Sequence, residues 1–178
     1  MENGKDKPMT AKIIGVVFIV AGCGLAGFLL SASKKHEIRT LGNFLTSVEQ
    51  MSCELQFRLT PLPELCRFLA SSATGCIQVY YLKLAEALES HIYPDAEKCA
   101  LSALNNCVNI PITTRKVIEN FANTLGRYDV DGQLLGLEAV HQEGTQKLSK
   151  LTENLDGRTR CYQTLGICSG FVVAILLV

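Results

Sequence analysis

Eight cysteines, three histidines and the Asp129-Val130-Asp131 step are the residues of this 178-residue chain best suited to chemistry. The thiols, Cys23, Cys53, Cys66, Cys76, Cys99, Cys107, Cys161 and Cys168, fall at no zinc or redox spacing. They read as small apolar side chains tolerated in a reducing compartment. His36, His91 and His141 lie far apart without Glu or Cys at ligand distance, so they offer no metal site. No glycine-rich loop closes on Lys-Ser or Lys-Thr, which excludes nucleotide binding in the Walker manner. Asp129 and Asp131 suit a helix cap and turn. The pattern supplies neither a catalytic group nor a cofactor site, and the chain reads as a non-enzyme. With 17 basic and 17 acidic residues, it also lacks the bulk basicity of a nucleic-acid binder.

The remaining information lies in the elements. Ile13 to Leu30 and Cys161 to Val178 are each eighteen residues without a charge. As helices each reaches about 27 Å, close to the ~30 Å hydrocarbon layer. The first is bracketed by Lys12 and by Lys34, Lys35 and His36; the second is preceded by Arg158 and Arg160. Both read as transmembrane helices. For the first, a secretory signal cut near Ser31-Ala32-Ser33 is a rival. Another is a surface lipoprotein acylated at Cys23, since Val20-Ala21-Gly22-Cys23 has a lipobox pattern, although the apolar run continues past the cysteine. A buried C-terminal core helix is the alternative for the second. Gly22 with Ala26, and Gly166 with Gly170 and Ala174, form small-xxx-small pairs through which the two spans could pack.

Bases near the spans number seven on the central side (Lys34, Lys35, Arg39, Lys147, Lys150, Arg158, Arg160) against Lys5, Lys7 and Lys12 outside. That asymmetry places the central segment in the cytosol. The expected organisation is a tail over 1–12, a span over 13–30, a cytosolic bundle over 31–160 and a span over 161–178, with Met9 as an alternative start.

Within the bundle, Ile38, Leu41, Leu45, Val48, Leu55 and Leu59 repeat at heptad spacing, with Ser52 in the remaining place. Leu134, Leu137, His141, Gly144, Leu148, Leu151 and Leu155 repeat it near the second span. The spacing predicts two long antiparallel helices packed along these seams and continuous with the spans. Between them, Thr60 as cap with Pro61 and Pro63 starts a short helix through Leu69. Others are expected over Ile77 to Leu88, from Pro94-Asp95 to Leu104, and from a Thr113 or Thr114 cap to a stop at Gly126. No strand-like alternation interrupts them, so the class is all-α.

Laid out in this order, the chain from about Met9 resembles the stage III sporulation protein AB family. The residues that carry the likeness are the small-residue span, the stretch Leu55 to Leu69 around Thr60-Pro61-Leu62, the stretch Phe121 to Gly126 containing Thr124-Leu125-Gly126, the following Asp129, and the apolar C-terminal span. The family's central region is in turn similar to the cytoplasmic F domain of type II secretion platforms. The resemblance implies a membrane platform subunit of the secretion-like complex that joins mother cell and forespore. It implies residence on the mother-cell side, in the outer forespore membrane. It also implies docking of the complex's ATPase, the stage III sporulation protein AA, with other subunits and a second copy of the chain as further partners. It brings no catalytic residue. A membrane-tethered helical scaffold without a motor partner stays as the alternative.

Overall fold

Residues 33–58, 60–126 and 129–177 are described by the structure, a computed structural model, with side chains as far as Asn154 in the last stretch. Six helices account for nearly all of them. They are α1 (33–57), α2 (Leu62–Ser72), α3 (Cys76–Glu89), α4 (Ala96–Asn105), α5 (Ile112–Ala122) and α6 (Val130–Leu177). The chain divides into two units, residues 1–35 with 155–178 and residues 36–154. In the first, the described part is helical backbone. The second is a bundle with a core of its own.

Two of the helix starts differ from the caps the sequence suggested. α2 is preceded by Pro61 at φ −55°, and α5 by Pro111 at φ −58°, with no side-chain cap on either. Proline already holds a helix-compatible φ, and Pro63 in the first turn of α2 removes a donor that would have lacked an acceptor. Thr60 is therefore not the cap of α2. Thr113 instead donates its hydroxyl to the buried Glu37 of α1, and Thr114 is fully buried. Asp129 does cap: its Oδ1 accepts the Gly132 N–H at 3.1 Å at the start of α6. Gly126 takes φ +69° in the turn after α5, where a β-carbon would also sit 3.2 Å from that of Ala96.

Contacts between side chains set the direction of each helix. Arg67 pairs with Glu89, so α2 and α3 form a hairpin. Cys99 meets the Ala87 carbonyl and Lys83 the Asn106 carbonyl, so α4 returns along α3. Phe44 stacks on Tyr81 and meets Phe121 edge-on with centroids 5.4 Å apart. Together with the contacts of Thr40 with Cys76 and of Glu37 with Thr113, this sets α1 parallel to α3 and α5. Asn120 bonds Glu143, and Thr124 lies against Gly136, so α6 runs opposite to α5 and hence to α1.

The heptad seams are where the two long helices pack. Leu41, Leu45, Val48 and Leu55 of the first seam are buried, as are Leu137 and Gly144 of the second. Gly144 lets α6 approach α1 closely, because a β-carbon there would drive into the Leu45 side chain. Gly144→Val should therefore cost about 2 kcal/mol, overpacking outweighing the ~1 kcal/mol that losing a helical glycine returns. A lowered urea midpoint for the full chain in detergent would record it, and an unchanged midpoint would refute the close approach.

At the centre, Tyr80 and Tyr81 are fully buried with hydroxyls that lack a hydrogen-bond partner. Burial pushes both phenols well above their ordinary range. Ser47, the group nearest to opposing this for Tyr81, gives its own proton to the Asn43 carbonyl and stands outside hydrogen-bond geometry with the phenol. The same burial pushes the Cys66 thiol up to about 12. The unfolded chain releases these protons near pH ~8.5–10, while the folded chain retains them. Stability should hold up to about pH 8 and fall as pH rises beyond it. Tyr80→Phe should move alkaline unfolding to higher pH and, with one fewer unpaired hydroxyl, add about 1 kcal/mol at neutral pH. Circular dichroism against pH measures both effects; an alkaline midpoint that does not move would contradict this account.

Candidate functional site

The helix directions give the bundle two distinct ends. One gathers the start of α1, the turn 73–75 and the loop 106–111. The other, the far end, gathers the end of α1, the start of α2, the α3–α4 loop around His91 to Asp95, and the α5–α6 connection. Both internal motif stretches reach this far end. Thr60, Pro61 and Leu62 form the α1–α2 junction, and Thr124, Leu125, Gly126 and Asp129 stand where α5 gives way to α6. Leu125 is buried, fixing that turn to the core, and the Thr124 hydroxyl donates to the Phe121 carbonyl at 2.8 Å.

Around these loops the far end exposes large apolar side chains. Phe57 is 78% and Ile92 74% exposed, on the last turn of α1 and just beyond α3. Tyr93 is partly exposed, its hydroxyl 3.2 Å from Ser102, which ties the loop back onto α4. His91 holds the same loop at φ +50°, a left-handed backbone uncommon for a residue other than glycine. Isolated apolar side chains on a surface are ordinary, but several at one end around ordered loops suit a contact with another protein.

Among the described residues this end carries more carboxylates than bases. Glu64, Glu97 and Asp131 sit in the first turns of α2, α4 and α6, where the helix dipole favours a carboxylate, and make no ion pair among the described residues. Arg67 and Glu89 make a bidentate pair at 2.8 and 2.6 Å, and Asp95 and Lys98 pair at 3.2 Å. The hydrogen bond from Arg67 holds the Glu89 carboxyl below its usual range. Such exposed pairs order side chains more than they stabilise a fold.

The residues that could do chemistry are dispersed. Cys66, Cys99 and Cys107 are buried, Cys76 is half-buried and Cys53 is exposed; all five are free thiols. Burial raises the three buried thiols, which keeps them protonated and unreactive. His36 lies in the first turn of α1, at the opposite end from His91, and His141 lies along α6. Among the described residues no group of His, Cys, Asp or Glu is placed to hold a metal ion.

Gly22, Cys23 and Ala26 lie outside the described residues, and so do the side chains around Gly166, Gly170 and Ala174. Among the described residues no helix is long and apolar enough to cross a membrane.

A solved structure described as "Stage III sporulation protein AB (SpoIIIAB)" superimposes on the chain with a TM-score of 0.59 at 13% identity. The match covers 66% of this chain and 94% of that one. At that identity the likeness speaks for the helical fold. No curated protein matches the chain. The family model described as Stage III sporulation protein AB matches residues 12–178, nearly the whole sequence and including both motif stretches. With the six-helix bundle and the fold likeness beside it, that match makes the chain a member of the stage III sporulation protein AB family, a sporulation component rather than one of a known enzyme family.

Proposed function

We propose that this chain is the membrane platform subunit of its sporulation complex, and that the far end of the bundle docks the complex's ATPase, the stage III sporulation protein AA. The observation that carries the reading is the convergence at one end of both motif loops, the exposed Phe57 and Ile92, and unpaired carboxylates. Within the bundle that end is opposite the start of α1, which in sequence follows the apolar run Ile13 to Leu30. A platform needs this polarity, with an anchor at one end and a partner surface at the other. The excess of carboxylates suits a partner face carrying Lys and Arg, and steers its approach.

The anchor is proposed on composition: two eighteen-residue uncharged runs of spanning length, with an excess of bases on the central side. The bundle then faces the mother-cell cytosol. Co-purification of the full chain from sporulating cells in mild detergent should carry the ATPase with it. Absence of the ATPase from preparations that retain other complex subunits, even at low salt, would overturn the docking role.

A further inference from the structure

A second exposed apolar group stands at the opposite end of the bundle, where a docked ATPase would not reach it. Val108, in the α4–α5 loop, is 91% exposed, and Ile112, on the first turn of α5, is 68% exposed. Lys83 of α3 reaches the Asn106 carbonyl, so this loop lies beside the first turns of α3, where Val79 is also exposed. Glu37 of α1 takes the hydroxyl proton of Thr113, fixing the same loop to the start of α1.

We infer that the Val108–Ile112 loop enters the surface of an anionic bilayer, a second and shallow membrane contact of the cytosolic bundle. The inference rests on the anchoring proposed above. Five residues separate Leu30, the end of the apolar run, from His36, where the bundle begins. Even fully extended that stretch spans only about 20 Å, so the start of α1 is held close to any bilayer the run crosses. The charges around the loop fit the same occupant. Lys116 lies one turn along from Ile112, and Arg39 and Lys150 are exposed on α1 and α6 toward this end, with Glu153 as the exposed acid there among the described residues. Apolar tips with bases set behind them match an interface of acyl chains under anionic headgroups.

The chain has no tryptophan, so Val108→Trp gives a single probe at a site exposed enough to accept it. The full-length variant is reconstituted in phosphatidylcholine–phosphatidylglycerol vesicles, with or without acyl chains brominated just below the headgroup. The indole introduced by Val108→Trp should emit at shorter wavelength than that of a Phe57→Trp control and lose most of its emission to the brominated lipid, while the control loses almost none. Ile112→Trp should repeat the result if the first variant folds poorly. A chain that floats with the vesicles while neither loop probe is quenched overturns the lipid contact and leaves the anchor standing. A blue-shifted but unquenched indole in the Val108→Trp variant also overturns it, placing a second copy or another protein there. A chain that does not float with the vesicles overturns anchor and contact together.

Discussion

Replacing Phe57 and Ile92 together by Asp should leave the bundle folded and weaken ATPase retention by about thirtyfold, the loss of ~2 kcal/mol that marks a binding hot spot. Both side chains are mostly exposed, so neither supports the core; surface changes of this kind usually stay within about 0.5 kcal/mol of the parent. The new carboxylates also add to an end that already carries more carboxylates than bases, which is neutral or mildly helpful toward a basic partner. Lost binding would then report the missing apolar contact and not a reversed charge. Two readouts on the same purified chain decide the matter: a thermal melt by circular dichroism, and ATPase binding in detergent by biolayer interferometry. Unchanged binding with an unchanged melt would move the docking surface elsewhere. A collapsed melt would show that these side chains are structural.

Phe44→Ala should be the most damaging single truncation in the bundle, costing ~3–5 kcal/mol against a typical total of ~5–15 kcal/mol. Phe44 is fully buried and touches Tyr81 on α3 and Phe121 on α5, so one ring joins three helices. Removing it opens a void that the parallel packing of α1 with α3 and α5 cannot close without moving both. A fall in melting temperature of ~10–20 °C is expected for a domain of this size. Phe121→Ala should cost a similar amount. The double variant should cost less than the sum, because the edge-on pair is worth ~0.5–1.5 kcal/mol beyond its buried area and can be lost only once. A loss below about 1 kcal/mol for Phe44→Ala would mean that the void collapses and that the ring is not the keystone described here.

Periodicity made much of this architecture legible. The two heptad seams located α1 and α6, and Pro61, Pro63, Pro94 and the short apolar faces located the four helices between them. The seam understated α1, however. Phe44 and Met51 fall outside the 3,4 spacing yet are fully buried, because α1 is covered on more sides than a two-helix seam requires. Glu37, Thr40 and Ser47 are buried for the same reason. The threonine caps failed at Thr60 and Thr113 because proline began each helix first, which left Thr113 available to Glu37. The proposed docking end was not legible in the chain. Its motif stretches could be quoted from the chain, but their meeting at one end depends on α5 running parallel to α1, which no local pattern encodes. Phe57 and Phe44 are chemically alike, and only the packed structure separates the exposed one from the buried one.

The pairing of Glu37 with Thr113 bridges 76 residues, and Leu45 meets Gly144 still later in the chain. A ribosome adding ~5–20 residues each second therefore leaves α1 without α5 for roughly 4–15 s, and without α6 for longer. Over that interval the nascent helix displays Leu41, Phe44, Val48 and Met51 to its surroundings, with only the early hairpin of α2 and α3 to shelter them. Biogenesis of this protein is thus exposed to chaperone capture and misassembly in that window, and a translational pause after α3 would lengthen the hazard more than one after α5, which leaves only the α6-facing side of α1 uncovered.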